Sequence, residues 1–190
     1  MKRIYFTLIT IIFVFLFTAQ TQPDQDIRVE FREISKLFMG DLKSVLMKNI
    51  KEGGPLQAIN VCSDTAMALT DEIGKQTGVL IKRATFKPRN RNNTPDKFEE
   101  KVLLDFQKKF EEGTLDDNYE YLEIIKIDST EYARFMKPIF VQGPCLLCHG
   151  SENTMSKDIR ALIKHKYKDD TAVDYKNGDL RGAISINKKL

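Results

Sequence analysis

The amino-acid sequence predicts an α+β domain in which an antiparallel sheet is covered by long N-terminal helices. Apolar residues recur at helical spacing through the first third of the chain, and runs of strand-forming residues become frequent later. Helices that precede strands, with helical insertions between the strands, are typical of this class. The chain has 190 residues, which is enough for one such domain. We expect this domain over residues 25–190.

Two helices are predicted before the first strand. The first has apolar residues at helical spacing over about residues 25–51. Gly53-Gly54-Pro55 ends it and begins the second, because proline is well placed at a first helical position. The second helix continues to Gly78, and its apolar face is made of Ile59, Cys62, Ala66, Leu69 and Ile73. This spacing places Cys62 towards the apolar interior.

The later elements are predicted from apolar patterns and turn residues. Residues 79–86 indicate a strand, and residues 88–95 indicate a loop. A helix is expected to begin with Thr94 as N-cap and Pro95 at the first helical position, and to extend to about Glu112. Two strands at 120–128 and 131–141, a short helix at 157–166 and a last strand at 180–186 complete the prediction.

The N-terminus indicates export. Lys2 and Arg3 precede an uncharged run over residues 4–18, which has the form of a secretory signal peptide. The run is shorter than the roughly 20 residues that span a bilayer comfortably. Residues 1–20 are therefore predicted to be a signal peptide, with an uncleaved membrane anchor as the alternative. We expect a periplasmic or otherwise extracytoplasmic protein that contacts a membrane only through this segment.

Composition and charge exclude several classes of protein. The hydrophobic fraction of 42% and charged fraction of 30% are those of an ordinary globular domain, not of a disordered or polytopic membrane protein. Thirty basic residues stand against 27 acidic ones, and removing Lys2 and Arg3 with the N-terminal segment nearly balances the two. This balance gives no support for nucleic-acid binding.

The segment Cys145-Leu146-Leu147-Cys148-His149 carries the chemistry. C-x-x-C-H is the attachment motif of c-type haem. Cys145 and Cys148 can each add to a haem vinyl group to form a thioether, and His149 is then held against the iron as the proximal axial ligand. The motif predicts one covalent haem c per chain and implies a haem-attachment machinery as partner. Such attachment occurs outside the bacterial cytoplasm, in agreement with the export signal.

The same residues allow three other interpretations. A thioredoxin-like C-x-x-C would fit Gly143-Pro144-Cys145, but that motif normally lies early in its fold. A zinc site would combine Cys62 with Cys145, Cys148 and His149, although adjacent ligands can hardly reach one metal without strain. A structural disulfide between Cys145 and Cys148 would explain neither His149 nor the export signal.

The distal axial ligand has several candidates. Cys62 is the third cysteine of the chain. It is either a small buried hydrophobic residue or a thiolate that binds the iron opposite His149. His165 lies in a lysine-rich, surface-like segment, and Met67 is offset by five residues from Cys62. The remaining methionines suit packing at least as well as ligation; they are Met39, Met47, Met136 and Met155.

Several segments resemble one family. In chain order they are Asn60-Val61-Cys62, Lys87-Pro88-Arg89-Asn90-Arg91-Asn92, Thr94-Pro95, Pro138-Ile139, Cys145 to Gly150, and Asp179-Leu180-Arg181-Gly182-Ala183-Ile184-Ser185. They are similar to a family of PAS-like c-type haem domains, found as exported single-domain proteins and as input domains of bacterial sensor kinases. The resemblance covers about residues 30–187. It implies a PAS-like fold with His149 and Cys62 as the axial ligands.

The basic segment around residue 87 has two interpretations. Haem carries two propionates, and arginine offers paired donors to a carboxylate. Arg83, Arg89 and Arg91 are therefore candidate propionate partners. The alternative is a solvated loop, which is the usual explanation for such a cluster of charges.

These features favour an exported mono-haem protein that senses redox state or a diatomic gas through His/Cys-ligated iron. Release of Cys62 on reduction would open a position for CO or NO, and an unidentified redox partner or signalling protein would receive the signal. A periplasmic electron-transfer cytochrome is the alternative, and a thioredoxin-like thiol-disulfide oxidoreductase ranks below it. No enzymatic activity is expected, because the sequence offers no distal histidine for acid–base catalysis.

Overall fold

A computed structural model describes the backbone of residues 22–190 and the side chains of residues 24–190, apart from that of Cys62. The predicted signal peptide or anchor at residues 1–20 lies outside this range. Within the described range, no helix combines the length and the apolar character that crossing a membrane requires.

Four helices and four strands build the described part of the chain. In order they are α1 (Gln22–Thr77), β1 (Leu80–Ala84), α2 (Lys97–Glu111), β2 (Tyr121–Ile127), β3 (Thr130–Phe140), α3 (Leu146–His149), α4 (Lys157–Lys166) and β4 (Leu180–Lys189). Short 3-10 turns at Arg91–Asn93 and Gly143–Cys145 precede α2 and α3. The α+β class, the long N-terminal helices and the antiparallel sheet are confirmed.

The two predicted N-terminal helices meet at a break inside α1. Gly53 and Gly54 have non-helical backbone angles, with φ of −146° and +75°. Glycine adopts a positive φ without steric cost, and Pro55 then begins a new first turn, as the sequence indicated. The break gives α1 two halves, residues 22–52 and 55–77, which we call the first half and the second half.

The sheet lies between helices on both faces. Its strand order is β1-β4-β3-β2, with every neighbouring pair antiparallel. Side chains alternate along a strand. Accordingly Phe135 and Ile184 pack against α1, whereas Met136 and Ala183 pack against α2. Strand β4, which comes last along the described chain, is an internal strand because it lies between β1 and β3.

The start of α2 differs from the prediction. Its N-cap is Asp96 and not Thr94, and the helix begins at Lys97. The Asp96 side chain accepts a hydrogen bond from the Glu99 amide, while the Glu99 side chain accepts one from the Asp96 amide. This reciprocal capping box fixes the start two residues later than Thr94, because only Asp96 has a glutamate three positions on.

The remaining elements follow the predicted order. Helix α4 occupies the predicted residues and is capped by Ser156, whose hydroxyl accepts from the Ile159 amide. It packs against the second half of α1, where Ile59 joins Met155, Ile159 and Ile163 in a separate small core. Strand β4 extends to Lys189, beyond the predicted end at Ile186.

Candidate functional site

The segment Cys145–His149, with its C-x-x-C-H spacing, forms a tight helical turn shortly after β3. A 3-10 turn over Gly143–Cys145 leads into α3, so the motif is helical throughout. Residues three and four positions apart share a helix face, and this places Cys145, Cys148 and His149 on one face. Gly150 follows the turn. A Cβ there would come within 2.6 Å of the Leu146 carbonyl oxygen, so this position favours glycine.

The His149 ring is fixed by a backbone carbonyl. Its Nδ1 lies 2.7 Å from the carbonyl oxygen of Ala172. A carbonyl only accepts hydrogen bonds, so Nδ1 carries the proton and Nε2 keeps its lone pair. The Tyr175 ring lies edge-to-face against the imidazole, with centroids 6.4 Å apart. Metal-binding histidines are commonly held in this way, with one ring nitrogen donating a hydrogen bond to a carbonyl and the other free to bind the metal.

The surroundings keep His149 neutral. Burial is the largest cause that lowers the pKa of His149 well below its usual value, followed by the positive charges of Arg89, Arg181 and Arg83. The hydrogen bond with Ala172 acts in the opposite direction but is outweighed. The neutral imidazole is the form that binds a metal ion.

Arg89 joins the motif to the segment that holds His149. Its Nη2 donates to the carbonyl oxygens of Cys148 at 2.6 Å and Ala172 at 3.2 Å, and its Nε donates to Asp170 Oδ2 at 3.1 Å. The side chains of Arg89 and Asp170 are only 13% and 8% exposed. The same guanidinium thus fixes the backbone on both sides of the imidazole.

A cavity of about 590 Å³ lies beside this face, within the range of small-molecule and cofactor sites. Its walls come from both halves of α1, the ends of β1 and β3, the start of β4 and the motif itself. Most lining side chains are apolar or small. Examples are Leu42, Leu46, Ile50, Ile59, Ala66, Ile139, Phe140 and Ile184. Such a lining suits the apolar face of a porphyrin.

Most of the predicted site residues meet at this cavity. Cys145, Cys148, His149, Arg83 and Arg89 all line it. Arg91 is not among the lining residues. Its side chain is 77% exposed and pairs with Asp169 at 2.7 Å, so this geometry gives no support for a propionate contact by Arg91.

The second half of α1 forms one wall of the cavity. The backbone of Cys62 lies there, but its side chain is outside the described part of the structure. Residues three and four positions away on either side, namely Ala58, Ile59, Thr65 and Ala66, all line the cavity. Position 62 therefore lies on the helix face that borders the cavity.

The other predicted distal candidates separate into three groups. Met67 and His165 are exposed and do not line the cavity. Met136 and Met155 are buried in the core. Met39 and Met47, on the first half of α1, do line the cavity. These two methionines are the alternatives that any test of Cys62 must include.

Comparison with known proteins supplies a family. Residues 19–188 match the family described as Tll0287-like. The chain belongs to the Tll0287-like family. No curated protein matches it significantly.

One solved structure resembles this Tll0287-like chain in fold. It is described as the crystal structure of the cyanobacterial heme-protein Tll0287. The two share 24% sequence identity over 82% of this chain and 93% of the other, with a TM-score of 0.59. At this identity the likeness establishes the fold.

The rival interpretations of the motif gain no support from the fold. A thioredoxin-like C-x-x-C belongs to a βαβ arrangement, whereas this Tll0287-like chain has an entirely antiparallel sheet. The described structure places no disulfide between Cys145 and Cys148. Among the described side chains, no group of three or more His, Cys, Asp or Glu residues is arranged to hold a metal ion.

Sequence reasoning missed three residues of the site. Ala172 and Tyr175 contact His149 through the carbonyl and the ring, and Arg181 lines the cavity beside it. Ala172 and Tyr175 lie in a turn-rich stretch without a motif. Their role becomes visible only because the fold places this stretch beside His149. Arg181 was part of a matched segment, yet its position at the cavity depends on β4 pairing with β1.

Proposed function

We propose that this protein carries one haem c, attached through thioethers to Cys145 and Cys148, with His149 as the proximal axial ligand. The main support is the fixed His149 tautomer beside an apolar cavity, with both thiols on the same helix face. The description of the structurally similar protein as a heme-protein adds support. When bound, haem supplies an iron that changes oxidation state and takes diatomic ligands at an open axial position.

Covalent attachment is tested by producing the full chain together with haem-maturation machinery. The expected product retains haem after denaturation and gains the mass of one haem. The Cys145→Ser/Cys148→Ser double variant should lose this retention, whereas Cys62→Ala should keep it. Release of all haem from the parent protein on denaturation, or recovery of a Cys145–Cys148 disulfide, would overturn the proposal.

Cys62 is proposed as the distal ligand. Its position on the cavity face of α1 supports this, as does the resemblance to the His/Cys-ligated family. The second half of α1 also packs on α4 through Ile59, so a thiolate bond at position 62 would tie that half to the cavity. The observable is the ferric optical spectrum. Cys62→Ala should change it, whereas Met39→Leu and Met47→Leu should leave it unaltered.

We infer that the protein senses redox state or a diatomic gas such as CO or NO. A thiolate at position 62 favours ferric iron, so reduction would weaken its hold and release the second half of α1. That helix would pass the signal to an unidentified partner outside the cytoplasm. The test is the optical spectrum of the ferrous holoprotein with and without CO. Binding of CO is expected, and a ferrous state that keeps both ligands would contradict sensing.

Electron transfer is the second candidate, and one observation favours it. Leu147 within the motif is 42% exposed, and Cys145 is half-buried, so the thioether edge of a bound haem would lie near the surface. An electron carrier needs such an edge and no ligand exchange. A ferrous protein that ignores CO and exchanges electrons rapidly would support this function over sensing.

The cavity also bears on the predicted propionate partners. Arg83 and Arg89 line it and stay candidates, whereas the surface position of Arg91 gives no support for its role.

Export through residues 1–20, with cleavage or membrane anchoring, stays part of the proposal, because haem attachment requires an extracytoplasmic site. Comparing the N-terminal residue and the fractionation of the purified holoprotein would distinguish a cleaved signal peptide from an anchor.

A further inference from the structure

Arg181 is a cation at the cavity that forms no close ion pair among the described residues. It stands near the start of β4 and lines the cavity. No described carboxylate lies within 4 Å of its guanidinium, which donates to Thr85 Oγ1 at 3.0 Å and the Lys87 carbonyl at 3.1 Å and also hydrogen-bonds the Tyr175 side chain. The Tyr175 ring lies 5.1 Å from the guanidinium carbon. The charge of Asp170 also acts on Arg181, but Asp170 already pairs directly with Arg89.

The contrast with Arg89 shows what is missing. Arg89 also lines the cavity, but Asp170 neutralises its charge at 3.0 Å. Burial is the main cause that lowers the pKa of Arg181 below its ordinary value, which means that the protein environment disfavours this charge. Buried charges are normally paired with an opposite charge. An anionic ligand would supply the pairing that the described chain does not.

The hydrogen-bond pattern leaves donors for such a ligand. The hydrogen bonds to Thr85 and Lys87 both leave from Nη1. An arginine has five N–H donors, and the Tyr175 side chain takes a third hydrogen bond, so two of the three donors on Nε and Nη2 remain for a further acceptor. Two guanidinium donors can match the two oxygens of a carboxylate.

The charge of the cavity lining points the same way. Only one carboxylate side chain, Asp117, is among the described lining residues. The basic lining residues outnumber it; they are Lys36, Lys43, Arg83, Arg89, Lys137 and Arg181. A largely apolar cavity with an excess of positive charge fits a flat apolar ligand that carries carboxylates.

We propose that Arg181 binds a propionate carboxylate of the haem through two of its Nε and Nη2 donors. The inference rests on the proposed function, because it needs a haem in this cavity. Its consequence is an orientation: the propionate edge faces the start of β4, and the vinyl edge faces Cys145 and Cys148. The vinyl and propionate groups occupy different edges of a porphyrin, so one orientation satisfies both contacts.

The first experiment compares haem with haem dimethyl ester, in which both propionates are neutral. The full chain is used in a Cys145→Ala/Cys148→Ala background, so that binding is reversible. Arg181→Gln is expected to weaken binding of haem by about ten- to a hundredfold, as for loss of a hydrogen bond to a charged group. Its effect on binding of the diester should be small. The affinity of Arg181→Lys for haem should lie between those of the parent chain and Arg181→Gln.

Arg91→Gln is the matched control, because Arg91 is exposed and does not line the cavity. It should leave both affinities unchanged. If Arg181→Gln weakens haem and diester equally, Arg181 only supports the fold and the proposal is wrong.

A second measurement uses the covalent holoprotein and so does not depend on reversible binding. Loss of Arg181 would leave a propionate free to titrate, so the midpoint potential of Arg181→Gln should vary with pH near neutrality more than that of Arg91→Gln. Equal profiles would contradict the proposal. Absence of covalent haem in the parent chain would instead contradict the proposed function, which keeps the two failures distinct.

Discussion

Arg89 holds two carbonyl groups that flank the His149 ring. One is the Cys148 carbonyl inside the C-x-x-C-H segment, and the other is the Ala172 carbonyl that accepts a hydrogen bond from the imidazole. Because Asp170 binds the same guanidinium, the arginine is neutralised without any ligand in the cavity. Its first role is therefore to position His149, whether or not it also reaches a propionate.

Replacing Arg89 should be costly for this reason. Arg89→Gln would leave the Asp170 carboxylate buried without its partner, and the holoprotein should lose about 3 kcal/mol of unfolding free energy. Asp170→Asn in the same chain should recover part of the loss, because the orphaned charge is then removed. Urea unfolding measures both effects. A loss no larger than that of Arg91→Gln, which breaks only an exposed pair, would contradict this account.

Gly182 brings two strands close together at the cavity. Its φ is +146°, and a Cβ there would collide with the Ala84 carbonyl oxygen and with Thr85. Gly182→Ala should therefore destabilise the protein by about 3 kcal/mol. Gly40, in the first half of α1, has open space around its Cβ position. Gly40→Ala should instead stabilise by about 0.5–1 kcal/mol, and thermal unfolding compares the two variants.

Prediction from sequence at this scale depended on how local the signal is. Cys145, Cys148 and His149 lie within one segment of five residues, and helical spacing alone puts them on one face. Arg181 reaches the cavity only because Ala84 pairs with Ala183 across two strands that are almost a hundred residues apart. The residues next to Arg181 in the sequence do not indicate that β4 pairs with β1 in this register.

At the scale of elements, α2 is fixed at its start by a network of charges. Asp96 caps the helix, and Arg134 from β3 donates to Asp96 at 2.7 Å while its guanidinium stacks on Phe98. Lys82 from β1 reaches the buried Glu99 at 2.8 Å. The capping box therefore joins α2 to two strands of the sheet and does more than end a helix.

The cap predicts a contrast between two neighbouring residues. Asp96→Ala should cost about 1–2 kcal/mol of unfolding free energy, because the Glu99 amide and Arg134 both lose an acceptor. Thr94→Ala should cost less than about 0.5 kcal/mol, since the Thr94 side chain makes no cap. Denaturant unfolding of the two variants side by side is the measurement. An equal loss in both would restore Thr94 as the functional cap.

Element boundaries were predictable where a single residue marks them. Ser156 stands before a clean apolar pattern, and α4 occupies the predicted residues. At α2, two cap-like residues stand two positions apart, and the choice between them required the partner at the third helical position. Glu99 was visible in the sequence, so this error was avoidable; the additional bond from Arg134 was not.

At the scale of the whole molecule, ion pairs join α1 to the sheet. Arg32 binds Glu120 bidentately, through contacts of 2.6 and 2.8 Å, and the Glu120 side chain is only 6% exposed. Burial by itself raises the pKa of Glu120. The hydrogen bond and charge of Arg32 outweigh burial, so the pKa lies below its usual value. The pKa of Asp96 is lowered in the same way, by the Glu99 amide and Arg134 against burial.

These lowered pKa values predict acid sensitivity. A carboxylate with a lower pKa in the folded than in the unfolded chain stabilises the fold above its unfolded pKa, about 4. That contribution is lost as the pH falls through the folded pKa. Unfolding free energy should therefore be steady near neutrality and fall below about pH 4. Glu120→Gln should make this fall shallower, which urea unfolding at a series of pH values would measure. An equally steep fall in the variant would contradict this account.

The sheet order has a consequence for the timing of biogenesis. Of the described strands β4 is synthesised last, yet it lies between β1 and β3 and carries Arg181 and Gly182 into the cavity wall. A chain that emerges N-terminus first therefore presents Cys145 and Cys148 before the pocket around them can close. Under the proposed function, the thiols would be open to the attachment machinery during this interval, and pairing of β4 would then enclose the haem.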